Sequence, residues 1–168
     1  MKTILSLMFG FVVVFASTTS YASEKWHFLD MPGTACKARS PSDESGLRYG
    51  YDGKLWNVSN DMIKVVCSFQ LRDSNSKYYG AYVYGNAQSD EYRWVTCKLW
   101  VRNTYTGERH SKSALDAGGH GLDDFRMYVG DVKGIKTVAG INVATLECMM
   151  DPKIFIGGIR FFTSYDTL

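Results

Sequence analysis

The stretch Met62-Ile63-Lys64-Val65-Val66-Cys67-Ser68-Phe69-Gln70-Leu71 alternates strictly. Ile63, Val65, Cys67, Phe69 and Leu71 fall on one side, and Met62, Lys64, Val66, Ser68 and Gln70 on the other. Period two over this length marks a strand with one buried and one wetter face. The cysteine shares the apolar phase, so the strand is expected to carry half of a core disulfide.

The same pattern recurs outward from it. Arg93 to Arg102 places Val95, Cys97, Leu99 and Val101 on one face and Trp94, Thr96, Lys98 and Trp100 on the other. Ile141 to Met150 aligns Ala144, Leu146, Cys148 and Met150. Asp124 to Val129 points Phe125, Met127 and Val129 inward, and Phe155 to Tyr165 aligns Ile159, Phe161 and Tyr165. Tyr78 to Gly85 reads as a tyrosine-rich strand. Leu47 to Asn57, broken by Gly50 and Asp52-Gly53, suggests two short strands joined by a tight turn, with Trp56 and Val58 inward. Trp26 to Leu29 reads as an edge strand or a loose arm, and Val132 to Thr137 as a loop around Gly134. No segment sustains a 3.6-residue period. Short strands separated by polar turns predict an all-β antiparallel sandwich of the Ig-like or Greek-key type, with a closed barrel as the competing architecture.

The N-terminus carries an export pattern. Lys2 is followed by a largely apolar run, Ile4 to Phe15, and then Ser20-Tyr21-Ala22, which offers small residues before a cut. Residues 1–22 are therefore expected to be a signal peptide, leaving 23–168 as one secreted or periplasmic domain with no transmembrane segment. The apolar run, at about twelve residues, is too short to span a bilayer. Removing Lys2 from the 19 basic side chains leaves 18 against 17 acidic ones, a net charge of +1. That balance argues against a nucleic-acid partner and supplies no attraction to an anionic membrane.

Behind an export signal, the four cysteines Cys36, Cys67, Cys97 and Cys148 read as two disulfides. Their gaps, about thirty residues or more, lack the close ligand pairs of a zinc site. If residues 62–102 form a three-strand meander, Cys67 and Cys97 stand nearly 10 Å apart at about 4.8 Å per strand, too far for a bridge. Of the three pairings this disfavours one; among the rest, Cys36–Cys67 with Cys97–Cys148 is preferred.

Several short pieces together resemble a loosely defined group of small exported bacterial β-proteins without an established function. They are Pro32-Gly33 before Cys36, the Tyr49–Asn57–Ser59 region, Val65-Val66-Cys67, Val95-Thr96-Cys97, and Leu146-Glu147-Cys148 with Pro152. The group often has proline after its second cysteine, where this chain has Ser68, and two prolines after its last, where this chain has only Pro152. The resemblance implies an exported sandwich with two disulfides and supplies no catalytic residue to carry over.

The candidate ligand-binding residues are aromatic. Trp94 and Trp100 share the outward face of their strand, and Tyr82 and Tyr84 would join them if the preceding strand turns the same way. A row of flat rings with polar edges suits stacking on sugars; the blander reading is cross-strand pairing or cover by a loop. A hydrolase reading would use His120, in Gly118-Gly119-His120-Gly121 near Asp116, Asp123 and Asp124, as a general base. A solvated glycine-rich turn is the preferred reading of that segment, and no GxSxG or HExxH motif accompanies it. Asp73-Ser74-Asn75 opens like a calcium loop but fails at Lys77 and Tyr78. Asn57-Val58-Ser59 is a formal sequon. The expectation is thus a non-catalytic binding or structural protein without a cofactor or metal, with a glycan or an envelope protein as candidate partner. A pilus subunit would need a donor strand, and residues 23–30 are short for it.

Overall fold

A computed structural model describes residues 24–71, 76–117, 124–136 and 142–166. The expected leader, the Asp73-Ser74-Asn75 stretch, His120 and Asp123 lie outside these residues. Eleven strands are described: β1 (Glu24–Pro32), β2 (Lys37–Ala38), β3 (Leu47–Tyr49), β4 (Leu55–Asn57), β5 (Ile63–Leu71), β6 (Ser76–Ala87), β7 (Trp94–Asn103), β8 (Arg109–Ala117), β9 (Asp124–Lys136), β10 (Asn142–Met150) and β11 (Ile154–Asp166).

They form two antiparallel sheets packed face to face and not closed into a barrel. One has the order β3-β4-β11-β6-β9, with β1 also paired to β11; the other runs β2-β5-β10-β7-β8. Alternation dictates the core. Ile63, Val65 and Cys67 of β5, Val95, Cys97, Leu99 and Val101 of β7, and Ala144, Leu146, Cys148 and Met150 of β10 are buried. They meet Ala81 and Val83 of β6, Phe125, Met127 and Val129 of β9, and Ile159 and Phe161 of β11 in one continuous core. Between Ile156 and Gly158 a bulge resets the phase of β11, so Ile154 and Ile156 also point inward.

Both disulfides pair as preferred from sequence. Cys36 bridges to Cys67, and Cys97 to Cys148. Cys97 and Cys148 are register partners on neighbouring strands, and Cys36, just before β2, bridges to β5 of the same sheet. The meander, however, does not form. β6 lies in the opposite sheet, and β10 fills the place between β5 and β7. Cys67 and Cys97 are still two strands apart, but it is β10 that separates them.

Two local expectations are corrected, and between the edge strand and the loose arm expected at Trp26 to Leu29 the edge strand holds. Residues 132–136 continue β9, because β6 begins early enough to pair with them, Lys77 opposite Lys136 and Tyr78 opposite Ile135. Trp26 to Leu29 lie within β1, which pairs along β11. In β4 the phase is inverted. Leu55 and Asn57 are buried, Trp56 faces outward against Phe155, and Val58 is exposed. Asn57 takes the inward place because its side chain satisfies four polar groups there. Its amide donates to the carbonyl oxygens of Asp61 at 2.8 Å and Met150 at 2.9 Å. Its oxygen accepts from the Ser59 backbone N–H at 3.0 Å and hydroxyl at 2.7 Å. A side chain so placed at 1% exposure is not a glycan acceptor.

Candidate functional site

The outward face of the β4-β11-β6-β9 sheet, with β1, is an aromatic surface. Each inward residue leaves its neighbours outward, and here the outward neighbours are rings. Register defines the rows. Trp56, Phe155, Asn86 and Asp124 stand side by side. Next come Gly158, Tyr84 and Arg126, then Asp30, Arg160, Tyr82 and Tyr128, then Phe28, Phe162, Gly80 and Gly130. The tyrosines chosen from sequence, Tyr82 and Tyr84, are at its centre.

The rings touch one another. Tyr82 lies 4.8 Å from Phe162, 5.1 Å from Tyr128 and 6.1 Å from Tyr84 between centroids. Phe28 meets Phe162 edge to face at 5.2 Å, and Trp56 lies 4.5 Å from Phe155. Offset and edge-to-face arrangements suit the ring quadrupoles. The adjacent Gly80 and Gly130 leave room beneath: a Cβ on Gly80 would lie 2.9 Å from the Tyr128 ring and 2.7 Å from the Gly130 Cα. Cations edge the surface. The Arg126 guanidinium sits 4.0 Å over Tyr82, and Arg160 grips Asp30 through two hydrogen bonds of 2.6 and 2.9 Å. The hydrogen bond from Arg160, with its positive charge, holds the Asp30 carboxyl below the usual carboxylate range. Phe28 at 56% and Tyr128 at 38% remain exposed, while Tyr82, Tyr84 and Phe162 are half-buried.

Beyond Trp56 this end of the molecule opens into a cleft of about 780 Å³, edged by Arg48, Tyr51, Gln88 and Lys153. Lys153 has a left-handed backbone, φ 64°. It is fixed there by its N–H donating to the Asn57 carbonyl at 3.0 Å and by its own carbonyl accepting from the Gln88 N–H at 2.8 Å. A non-glycine residue in this region stores strain that the surroundings must hold. Tyr49, in the same wall, donates its hydroxyl to Glu44 at 2.7 Å; burial and that carboxylate push its pKa up to about 12.

Trp94 and Trp100 do not join this surface. They project from β7, on the outside of the other sheet, because residues 88–93 carry the chain from one sheet to the other. Trp94 is 46% exposed beside Tyr92, with ring centroids 6.5 Å apart. Trp100 is half-buried, with Lys98 Nζ 4.0 Å and the Arg109 guanidinium 3.4 Å from its ring centroid. Its ring is covered by two cations of its own sheet, where the Tyr82 ring carries one, Arg126. His110 pairs with Glu108 at 2.9 Å on the surface, and Asp124 accepts from Asn86 at 3.0 Å. Among the described residues, no three His, Cys, Asp or Glu side chains gather as a metal site. Phe28, Tyr128 and Phe162 were not singled out from sequence, although the inward phase of Val129 and Phe161 puts their neighbours outside.

Fold and site thus define a disulfide-linked antiparallel sandwich with an aromatic outer face. Neither protein-family models nor curated proteins match the chain. Among solved structures it is similar to the carbohydrate-binding module TmCBM27, described for specific mannan recognition, with TM-score 0.47 and 13% identity over 87% of this chain and 100% of that one. It is also similar to TmCBM61 in complex with beta-1,4-galactotriose, with TM-score 0.40 and 14% identity over 84% and 88%. A chain from infectious bursal disease virus Gx strain matches with TM-score 0.48 and 8% identity over 85% of this chain and 32% of that one. TM-scores below 0.5 at such identities give no basis for transferring a ligand or a role.

Proposed function

We propose that this protein is exported, loses residues 1–22, and acts in the envelope or outside the cell as a non-catalytic carbohydrate-binding module. Its ligand surface is the aromatic face centred on Tyr82, continued by Trp56 into the adjoining cleft. The leader pattern and the two disulfides support an oxidising compartment.

The observation that carries the reading is the contiguous set of outward rings Tyr82, Tyr84, Tyr128, Phe162 and Phe28, with Trp56 paired to Phe155 in a neighbouring row of the same face. Rings left part-exposed on a sheet forgo burial, which a partner would complete. Sugar rings offer C–H faces to stack and hydroxyls for tyrosine, Arg48 and Gln88 to bind. The test is a glycan array on the disulfide-intact protein, followed by calorimetry on the best ligand. Tyr82→Ala and Trp56→Ala should each weaken binding about three- to tenfold, the range of roughly 0.5–1.5 kcal/mol for a lost aromatic contact. A blank array, or affinity indifferent to both substitutions, overturns the proposal.

A further inference from the structure

The near balance of charge along the chain does not hold face by face. On the outside of the β2-β5-β10-β7-β8 sheet, register places Lys37, Lys64, Lys98, Arg102 and Arg109 outward, and Arg39 continues the β2 edge by donating its N–H to the Lys64 carbonyl. Against these six cations, the described strands of this face present one carboxylate, Glu147. That carboxylate already takes Arg39 at 2.8 Å. Glu108, at the nearby turn, is held by His110 instead.

The arrangement is costly without a ligand. Arg102 and Arg109 stand directly opposite each other across the β7–β8 ladder. Like charges in that position repel, and neither has a carboxylate partner among the described residues. Both edge a depression of about 670 Å³, floored by Trp100, Val143 and Thr145, with Glu147, the carboxylate held by Arg39, also in its lining. Arg109 lies over Trp100, which fixes its position without neutralising it. Between the cations runs a row of hydroxyls, Ser68, Thr145 and Ser111, in register with Trp100.

We propose that this face binds a linear acidic polysaccharide, with Arg102 and Arg109 clamping one carboxylate or sulfate and Lys98 and Lys64 meeting the next along the chain. Guanidinium pairs suit bidentate recognition of such oxyanions, and hydroxyls spaced between cations suit sugar hydroxyls. Two other polyanions fit less well. Duplex nucleic acid is read by an element that enters a groove, and single strands need free stacking rings along the cations, whereas the Trp100 ring is engaged by its own cations and the exposed Trp94 stands at the opposite end of β7 from Arg102 and Arg109. An anionic bilayer would find half-buried Val66, Val143 and Met149 between the charges, while the exposed Trp94 that could anchor in it stands at the opposite end of β7 from Arg102. This site lies on the side of the sandwich opposite the aromatic face, so it stands or falls independently of the neutral-sugar reading.

The test is calorimetry of the full disulfide-intact protein with polygalacturonate over a salt series. Three further arms use a neutral glucan, duplex DNA and phosphatidylglycerol vesicles. Binding to polygalacturonate should weaken steadily with salt. Arg102→Gln with Arg109→Gln should lower affinity about tenfold, while Arg102→Lys with Arg109→Lys, which keeps the charge but not the bidentate fork, should recover only part of it. Absence of polygalacturonate binding at low salt, or affinity unmoved by the double glutamine variant, overturns the proposal. Equal or tighter binding of DNA or vesicles through the same two arginines also overturns it, in favour of that partner.

Discussion

Replacing Asn57 tests whether a buried amide locks the β3–β4 hairpin to the end of β10. Its NH2 group donates to two carbonyls, Asp61 and Met150, and its oxygen accepts from the Ser59 N–H and hydroxyl. Asn57→Ala removes all four bonds. The Asp61 carbonyl is near the surface and can turn to water, but the bond to Met150 is buried. An orphaned buried acceptor costs about 1–3 kcal/mol, and the lost Ser59 bonds add about 1. The expected loss is about 2–4 kcal/mol. Asn57→Asp is the sharper probe, because it keeps the shape and the oxygen that accepts from Ser59 while turning donors into lone pairs aimed at carbonyls. It should cost at least as much at neutral pH and less in mild acid, where a protonated carboxyl can donate once. In urea, with a slope of about 2 kcal/mol/M, the midpoint should fall by about 1–2 M. If both variants unfold within about 0.2 M of the parent, with an unchanged slope, the amide does not hold this end together.

Three other outcomes follow from particular contacts. Cys97→Ala with Cys148→Ala opens a 51-residue separation and should cost about 4 kcal/mol in chain entropy, a few tenths more than opening Cys36–Cys67; a thermal-melt loss below about 1 kcal/mol would contradict this. Tyr49 should be among the last of the tyrosines to ionise, near pH 12 by ultraviolet titration, with that late step absent in Tyr49→Phe. Because its folded pKa lies above its ordinary value of 10.0, its contribution to stability is complete below about pH 10 and is lost as pH rises toward 12. A Cβ on Gly33 would collide with the Ile156 carbonyl oxygen, so Gly33→Ala should destabilise by several times the roughly 1 kcal/mol expected of Gly107→Ala. Gly107 has a positive φ of 73° but open space around it, and equal midpoints for the two variants would contradict the contrast.

Much of the fold was legible because period two reports burial directly. The inward sets of β5, β7, β9 and β10 were readable residue by residue, and so was the shared phase of Cys67, Cys97 and Cys148. Which sheet each strand joins was not legible. Alternation tells which side of Tyr82 or Trp100 faces the core, but not that residues 88–93 carry the chain across it, so the two aromatic pairs looked adjacent and are back to back. β4 misled because inward placement there is set by hydrogen bonding: Asn57 is buried to bind Met150, and Trp56 is turned out to meet Phe155. The aromatic face was half visible. Tyr82 and Tyr84 stood out in a tyrosine-rich strand, whereas Phe28, Tyr128 and Phe162 come from three other strands and converge only through register. The basic face was hidden for the same reason, since a net charge sums over both sides of the sandwich.

The most direct measurement is ring-resolved NMR of the isotope-labelled protein during titration with the neutral oligosaccharide that a glycan array selects. The ring signals of Tyr82, Tyr84, Tyr128 and Trp56 should shift to saturation while those of Trp94 and Trp100 stay in place. Shifts confined to Trp94 and Trp100, or saturation without movement of any ring on the β6–β9–β11 face, would contradict the account.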